Sequence, residues 1–117
     1  MIEEKIAALI LKLFERTLAG SIHWDSARLK KNAYQFSVPN NTIEIAEKQD
    51  PFGISSSDYY QLSIFDTNGQ EIETMDESEF MRQVPNSGTT MRDLFVAARR
   101  SSHNVDKQLD EIMSALQ

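Results

Sequence analysis

The residues best suited to chemistry lie in two short stretches. In "SIHWD", His23 and Asp25 flank Trp24, the only Trp in the chain. A His with an acid partner can act as a general base, but only within hydrogen-bond reach of a group to activate and with something to orient it. The near neighbours in this stretch supply neither a nucleophile nor a third group. If the segment is extended, side chains alternate, so Ile22 and Trp24 point one way while His23 and Asp25 point the other. The motif therefore reads as packing: Trp24 is expected to cover the edge of the core where a first helix gives way to a sheet, with His23 facing solvent. The second stretch is "ARRSSHNVDKQLD". Arg99 and His103 stand at i and i+4 on a helix, with Arg100 beside them and Asp106 and Asp110 continuing the flank. They would form an anion or acidic-partner patch if the fold gathered Arg28, Lys30 and Lys31 beside them, and otherwise a solvated flank of compensating charges.

Charge is unevenly spread. The 117-residue chain has a formal net charge of −6, which disfavours nucleic acid as a partner because phosphates need cations to neutralise them. Between Gln49 and Met81 there is no Lys or Arg, while Asp50, Asp58, Asp66, Glu71, Glu73, Asp76, Glu77 and Glu79 all fall there. Such a block reads as a solvated acidic face, or as a docking face for a basic protein. The candidate partner-binding residues are thus Asp66, Glu71, Glu73 and Glu77 on the acidic side, and Arg99, Arg100 and His103 on the basic side.

Other chemistries find little support. There is no Cys, hence no disulfide, thiolate nucleophile or thiolate metal site. The two His are far apart in sequence, and the acids do not follow a calcium-loop spacing. "GISSS" lacks the Lys and following helix of a phosphate loop. No catalytic residue, metal or cofactor is expected. "MIEEKIAALILKLFERTLAG" puts acids before its apolar run and interrupts the run with Lys12, unlike a secretory segment. No run approaches the ~20 apolar residues of a membrane helix. A soluble, cytoplasmic protein without membrane contact is expected.

The elements that must position these residues are legible in outline. Residues 3–19 predict a helix stopped by Gly20, with Ile2, Ile6, Leu9, Ile10, Leu13 and Phe14 on one stripe and Ala7, Leu11 and Leu18 widening it. "AYQFSV" and "TIEIAE" alternate as strands joined by "PNN", a turn in which Asn tolerates positive φ. "EKQDPFGISSS" reads as a loop, with Phe52 and Ile54 its apolar members. "YYQLSIF" then resumes the sheet. In "DTNGQ", a type I turn with Gly69 at a bulge would set Ile72 opposite Ile64 and Thr74 opposite Leu62, matching the apolar pattern. One short helical turn is expected before Pro85 and Gly88. From Thr90 to Leu116 helical spacing persists without Gly or Pro, predicting one long helix whose only weak point is "SSHN" at 101–104.

The fold class that follows is α+β in a single domain, residues 1–117: an N-terminal helix, an antiparallel sheet of about four strands, and a long C-terminal helix packed with the first on one face. The helix closing in "AG", the "I-x-W" segment, the meander "LSIFDTNGQEIE" and the final "LFVAARRSSHNVDKQLDEIMSAL" together resemble the layout of small bacterial α+β proteins of unknown function. That resemblance implies the fold and carries no activity.

A helix over 90–116 would be ~40 Å long at 1.5 Å per residue, against a radius of gyration of ~13 Å for a compact chain of this length. It must overhang or bend. An overhang exposes Leu109, Ile112, Met113 and Leu116, and a second copy offering Leu11 and Leu18 would cover them as a homodimer. The function expected is a non-enzymatic protein-interaction module, acting through the acidic sheet edge or a helical surface. The alternative is a small acidic inhibitor or immunity-type protein that neutralises a basic enzyme.

Overall fold

The computed structural model describes residues 2–28, 30–49 and 58–117. Asp50, Phe52, Ile54 and the serines at 55–57 lie outside the described residues.

Helix α1 (Ile2–Leu18) turns Ile6, Ala7, Ile10, Leu13 and Thr17 inward. It ends as expected. Gly20 sits at φ 76°, Ser21 N–H donates to the Arg16 carbonyl at 2.9 Å and Gly20 N–H to that of Thr17 at 3.1 Å, closing the helix in a Schellman motif that only a left-handed residue can complete.

The sheet is an antiparallel meander in chain order: β1 (Asp25–Ser26), β2 (Ala33–Val38), β3 (Asn41–Lys48), β4 (Tyr59–Phe65) and β5 (Glu71–Asp76). Among the described residues it has five strands where about four were expected. The addition is β1, two residues that pair Asp25 with Gln35 and Ser26 with Tyr34 and extend the Trp24 segment onto the sheet edge. At the β2–β3 turn Pro39 and Asn40 connect Val38 to Asn41. The left-handed asparagines among the described residues are instead Asn32, Asn86 and Asn104.

Tyr34, Ile45, Leu62 and Met75 lie in one row across four strands, facing the helices. Above them α2 (Glu77–Gln83) contributes Phe80, and α3 (Thr90–Ser102) contributes Met91, Leu94, Phe95 and Ala98. Phe95 packs between Tyr34 (centroids 5.4 Å apart) and Tyr60 (5.2 Å). With Ile6, Ile10 and Leu13 of α1, these side chains form one apolar cluster on a single face of the sheet.

Two expectations are corrected here. The turn Asp66–Gly69 forms, with Gly69 N–H donating to Asp66 O at 3.1 Å and Gly69 at φ 79°. Beyond it the register differs: Phe65 pairs with Glu71, then Ile72 bulges, so that Ile64 faces Glu73 and Leu62 faces Met75. The bulge brings Met75 to 1% exposure in place of the more polar Thr74, while Glu73 remains in water at the sheet margin.

The second correction concerns the last helix. It is two helices, α3 and α4 (Val105–Ala115), broken at His103 and Asn104, with Asn104 at φ 51°, ψ 43°. The break falls in "SSHN", because Asn is among the few residues that enter the left-handed region at modest cost. Only α3 packs on the core: α4 has no buried residue. The molecule measures 52 × 37 × 31 Å with a radius of gyration of 15.3 Å, above the ~13 Å of a compact chain of this length.

Candidate interaction surface

Trp24 is fully buried, its indole N–H donating to Thr17 Oγ1 at 2.9 Å and its ring meeting Phe36 edge-on at 5.1 Å. Thr17 Oγ1 in turn donates to Leu13 O at 2.6 Å. The Trp24 backbone N–H donates to Ser101 Oγ at 3.0 Å, anchoring the end of α3 beside the end of α1. His23 and Asp25 lie on the outside, 3.5 Å apart, with side chains 56% and 72% exposed. "HWD" is thus a buried hydrogen-bonded Trp between two solvated residues.

The acidic block is divided between fold and surface. Asp66 Oδ1 accepts the backbone N–H groups of Asn68 (2.9 Å) and Gln70 (3.0 Å) and shapes the turn. Asp76 caps α2 by accepting Glu79 N–H at 2.8 Å, and Glu77 Oε1 accepts Tyr60 N–H at 3.2 Å. Glu71 and Glu73 remain exposed on the outer strand β5.

Arg99, Arg100 and His103 are all exposed at the end of α3, His103 closing it with its ring 6.2 Å from Tyr34. Lys30 does not join them. Its Nζ lies 2.9 Å from Glu44 Oε2, on the sheet face opposite the helices.

That pair escaped sequence reasoning, since Glu44 sits in a strand whose alternation marks it as outward and solvated. It is 3% exposed, on the face where Ala27, Ala33 and Ala46 form a small cluster of their own. A cleft of about 440 Å³ opens beside them. Its buried carboxylate is already paired with the half-exposed Lys30. A second polar group, Tyr60, donates its hydroxyl to Glu47 Oε2 at 3.1 Å. Burial, reinforced by Glu47, raises its pKa against the opposing pull of Arg92. Among the described residues no three of His, Asp and Glu converge as metal ligands, and no helix is long and apolar enough to cross a membrane.

Among the described residues, exposed large apolar side chains gather on α4 and its C-terminal end. Val105, Leu109, Ile112 and Leu116 follow each other at four, three and four positions, with Met113 adjacent, making one apolar stripe. Leu109 is 53% exposed, Ile112 54%, Met113 66% and Leu116 79%. Asp106 and Asp110 border it on one side, Gln108 and Ala115 on the other. On α1, Leu11 (42%) and Leu18 (66%) are exposed on the flank of the buried stripe. The helical spacing over 90–116 allows either an overhang or a kink. The chain does both, and the kink leaves the stripe in water.

No protein-family model matches the chain, and neither the curated proteins nor the solved structures provide a match. No match thus supports the expected resemblance to a particular group of proteins, and a functional reading must come from the geometry.

Proposed function

We propose that this protein is a non-enzymatic, cytoplasmic protein-interaction module that docks another protein through the apolar stripe of α4. The observation that carries this is the exposure of Leu109, Ile112 and Met113 on a helix with no buried residue, continued by Leu116 at its C-cap. An isolated helix of about this length is marginal in water, because nucleation is costly and tertiary packing supplies most helical stability. A contiguous apolar patch rimmed by charge is the usual mark of a contact site. A second copy of the chain is one partner that would fit. Nucleic acid is disfavoured by the net charge of −6.

A second reading, an acidic inhibitor or immunity-type protein that blocks a basic enzyme, draws on Glu71 and Glu73, exposed on edge strand β5. The two readings differ in salt dependence. An apolar contact is not weakened by ionic strength, whereas surface charge pairs are screened over ~8 Å at physiological salt.

The test is affinity capture from extracts of the source organism at low and high salt, with wild type, Leu109→Glu/Ile112→Glu and Glu71→Lys/Glu73→Lys as baits. The α4 reading predicts a partner retained at high salt and lost only with the α4 variant. Loss with the β5 variant and with salt would favour the acidic reading. Identical capture by all three baits would contradict both.

A further inference from the structure

We infer that the α4 stripe is covered by a second copy of this chain, each α4 lying along Leu11 and Leu18 of the opposite α1 in a two-fold exchange of arms. This inference rests on the reading of α4 as a docking helix and names its occupant.

Three observations carry it. The first is position. Ser101 at the end of α3 binds the Trp24 backbone, and Trp24 binds Thr17 in the last turn of α1, so α4 departs from the end of the domain where Leu18 is exposed. A two-fold axis near that end brings each apolar stripe to the other by one operation, as an isologous contact requires.

The second is length. At 1.5 Å per residue the α4 stripe from Val105 to Leu116 runs ~16 Å and Leu11 to Leu18 about 10 Å, so one helix spans the other's exposed pair.

The third is area. Pressed only on each other, two α4 stripes would cover Leu109, Ile112, Met113 and Leu116 of each copy and leave Leu11 and Leu18 in water. Laying each α4 on the opposite α1 also covers Leu11 and Leu18, 42% and 66% exposed, and so buries the larger area, favouring the roughly 1,200 Å² or more of specific, stable interfaces.

The absence of native Cys makes the test clean, since each engineered thiol reports one neighbour. Full-length Leu18→Cys chains labelled uniformly with nitrogen-15 and Leu109→Cys chains at natural abundance are purified reduced, oxidised separately and as a mixture at tens of micromolar, and resolved by mass, the label separating mixed from self-linked dimers. The expected result is a mixed 18–109 dimer several-fold more abundant than either self-linked species, and lost when Ile112→Glu is added. A predominant 109–109 dimer would overturn the α1 contact in favour of α4 on α4. Monomer in every mixture would overturn a second copy as occupant. In that event, fluorescence of 1-anilinonaphthalene-8-sulfonate with the otherwise unmodified chain separates the two claims. Dye binding abolished by Leu109→Glu/Ile112→Glu would leave α4 an open stripe for another partner, whereas equal fluorescence in both would overturn the docking reading as well.

Discussion

Ser101 Oγ accepts the backbone N–H of Trp24 at 3.0 Å and donates to Ile22 O at 3.4 Å, so one hydroxyl joins the end of α3 to the segment that follows α1. Beyond His103 the chain leaves the core, and α4 has no buried residue. The contact fixes where α4 begins, and the left-handed Asn104 three residues later fixes where it goes.

Trp24 should be the costliest single truncation in this region. Replacing a buried Trp with Ala typically removes about 3 to 5 kcal/mol, and Thr17→Val, which strands the indole N–H, about 1 kcal/mol or somewhat more. His23→Ala, at an exposed position, should change stability by less than about 0.5 kcal/mol. Urea unfolding followed by Trp fluorescence measures the last two, and circular dichroism the first. Equal effects for Trp24→Ala and His23→Ala would contradict the packing reading.

Lys30 and Glu44 should behave as a pair. Lys30→Met leaves a carboxylate at 3% exposure without its cation. Breaking a buried pair costs about 3 to 5 kcal/mol, but the Lys30 side chain is 47% exposed and water screens the contact, so about 1 to 2 kcal/mol is expected. Lys30→Met/Glu44→Leu should recover most of that loss, because no unpaired charge remains. A double variant no more stable than Lys30→Met would refute the pairing account.

Asn104 should resist β-branched replacement. A left-handed conformation costs a residue with a Cβ roughly 1 to 2 kcal/mol, and Gly little. Thermal unfolding should place Asn104→Gly near wild type and Asn104→Val clearly below it. The reverse order would mean that the bend is not held by the backbone of this residue.

Much of the fold was legible because local patterns and tertiary demands agreed. The stripe of α1 and its Gly20 stop, the alternation of Ile22 and Trp24 against His23 and Asp25, and the turn at Asp66–Gly69 all follow from periodicity and φ preference. The β5 register was not legible. Ile72 and Met75 are both apolar on opposite faces, and choosing between them requires knowing that a bulge can reset the alternation after a correct turn. The two-residue strand β1 is too short for any periodic signal. The break at Asn104 was visible only as weakness, since an unbroken helical spacing runs through it. Of the site, the α4 residues were readable as a stripe, but their exposure depends on the helix leaving the core. Glu44 was missed because alternation assigns its face and cannot report that Lys30 reaches over it.

The central claim is that the α4 stripe is a protein contact surface, with a second copy as its occupant. Sedimentation equilibrium of wild type beside Leu109→Glu/Ile112→Glu, over micromolar to tens of micromolar at two salt concentrations, tests it most directly. Both copies carry a net charge of −6, and Asp106 and Asp110 border the stripe, so screening should tighten the association, opposite to what a charge-paired contact would do. The account predicts a wild-type mass that rises from 13.4 kDa toward twice that value with concentration, more steeply at high salt, and a variant fixed at 13.4 kDa. A wild-type mass of 13.4 kDa at every concentration and both salts, indistinguishable from the variant, would contradict it.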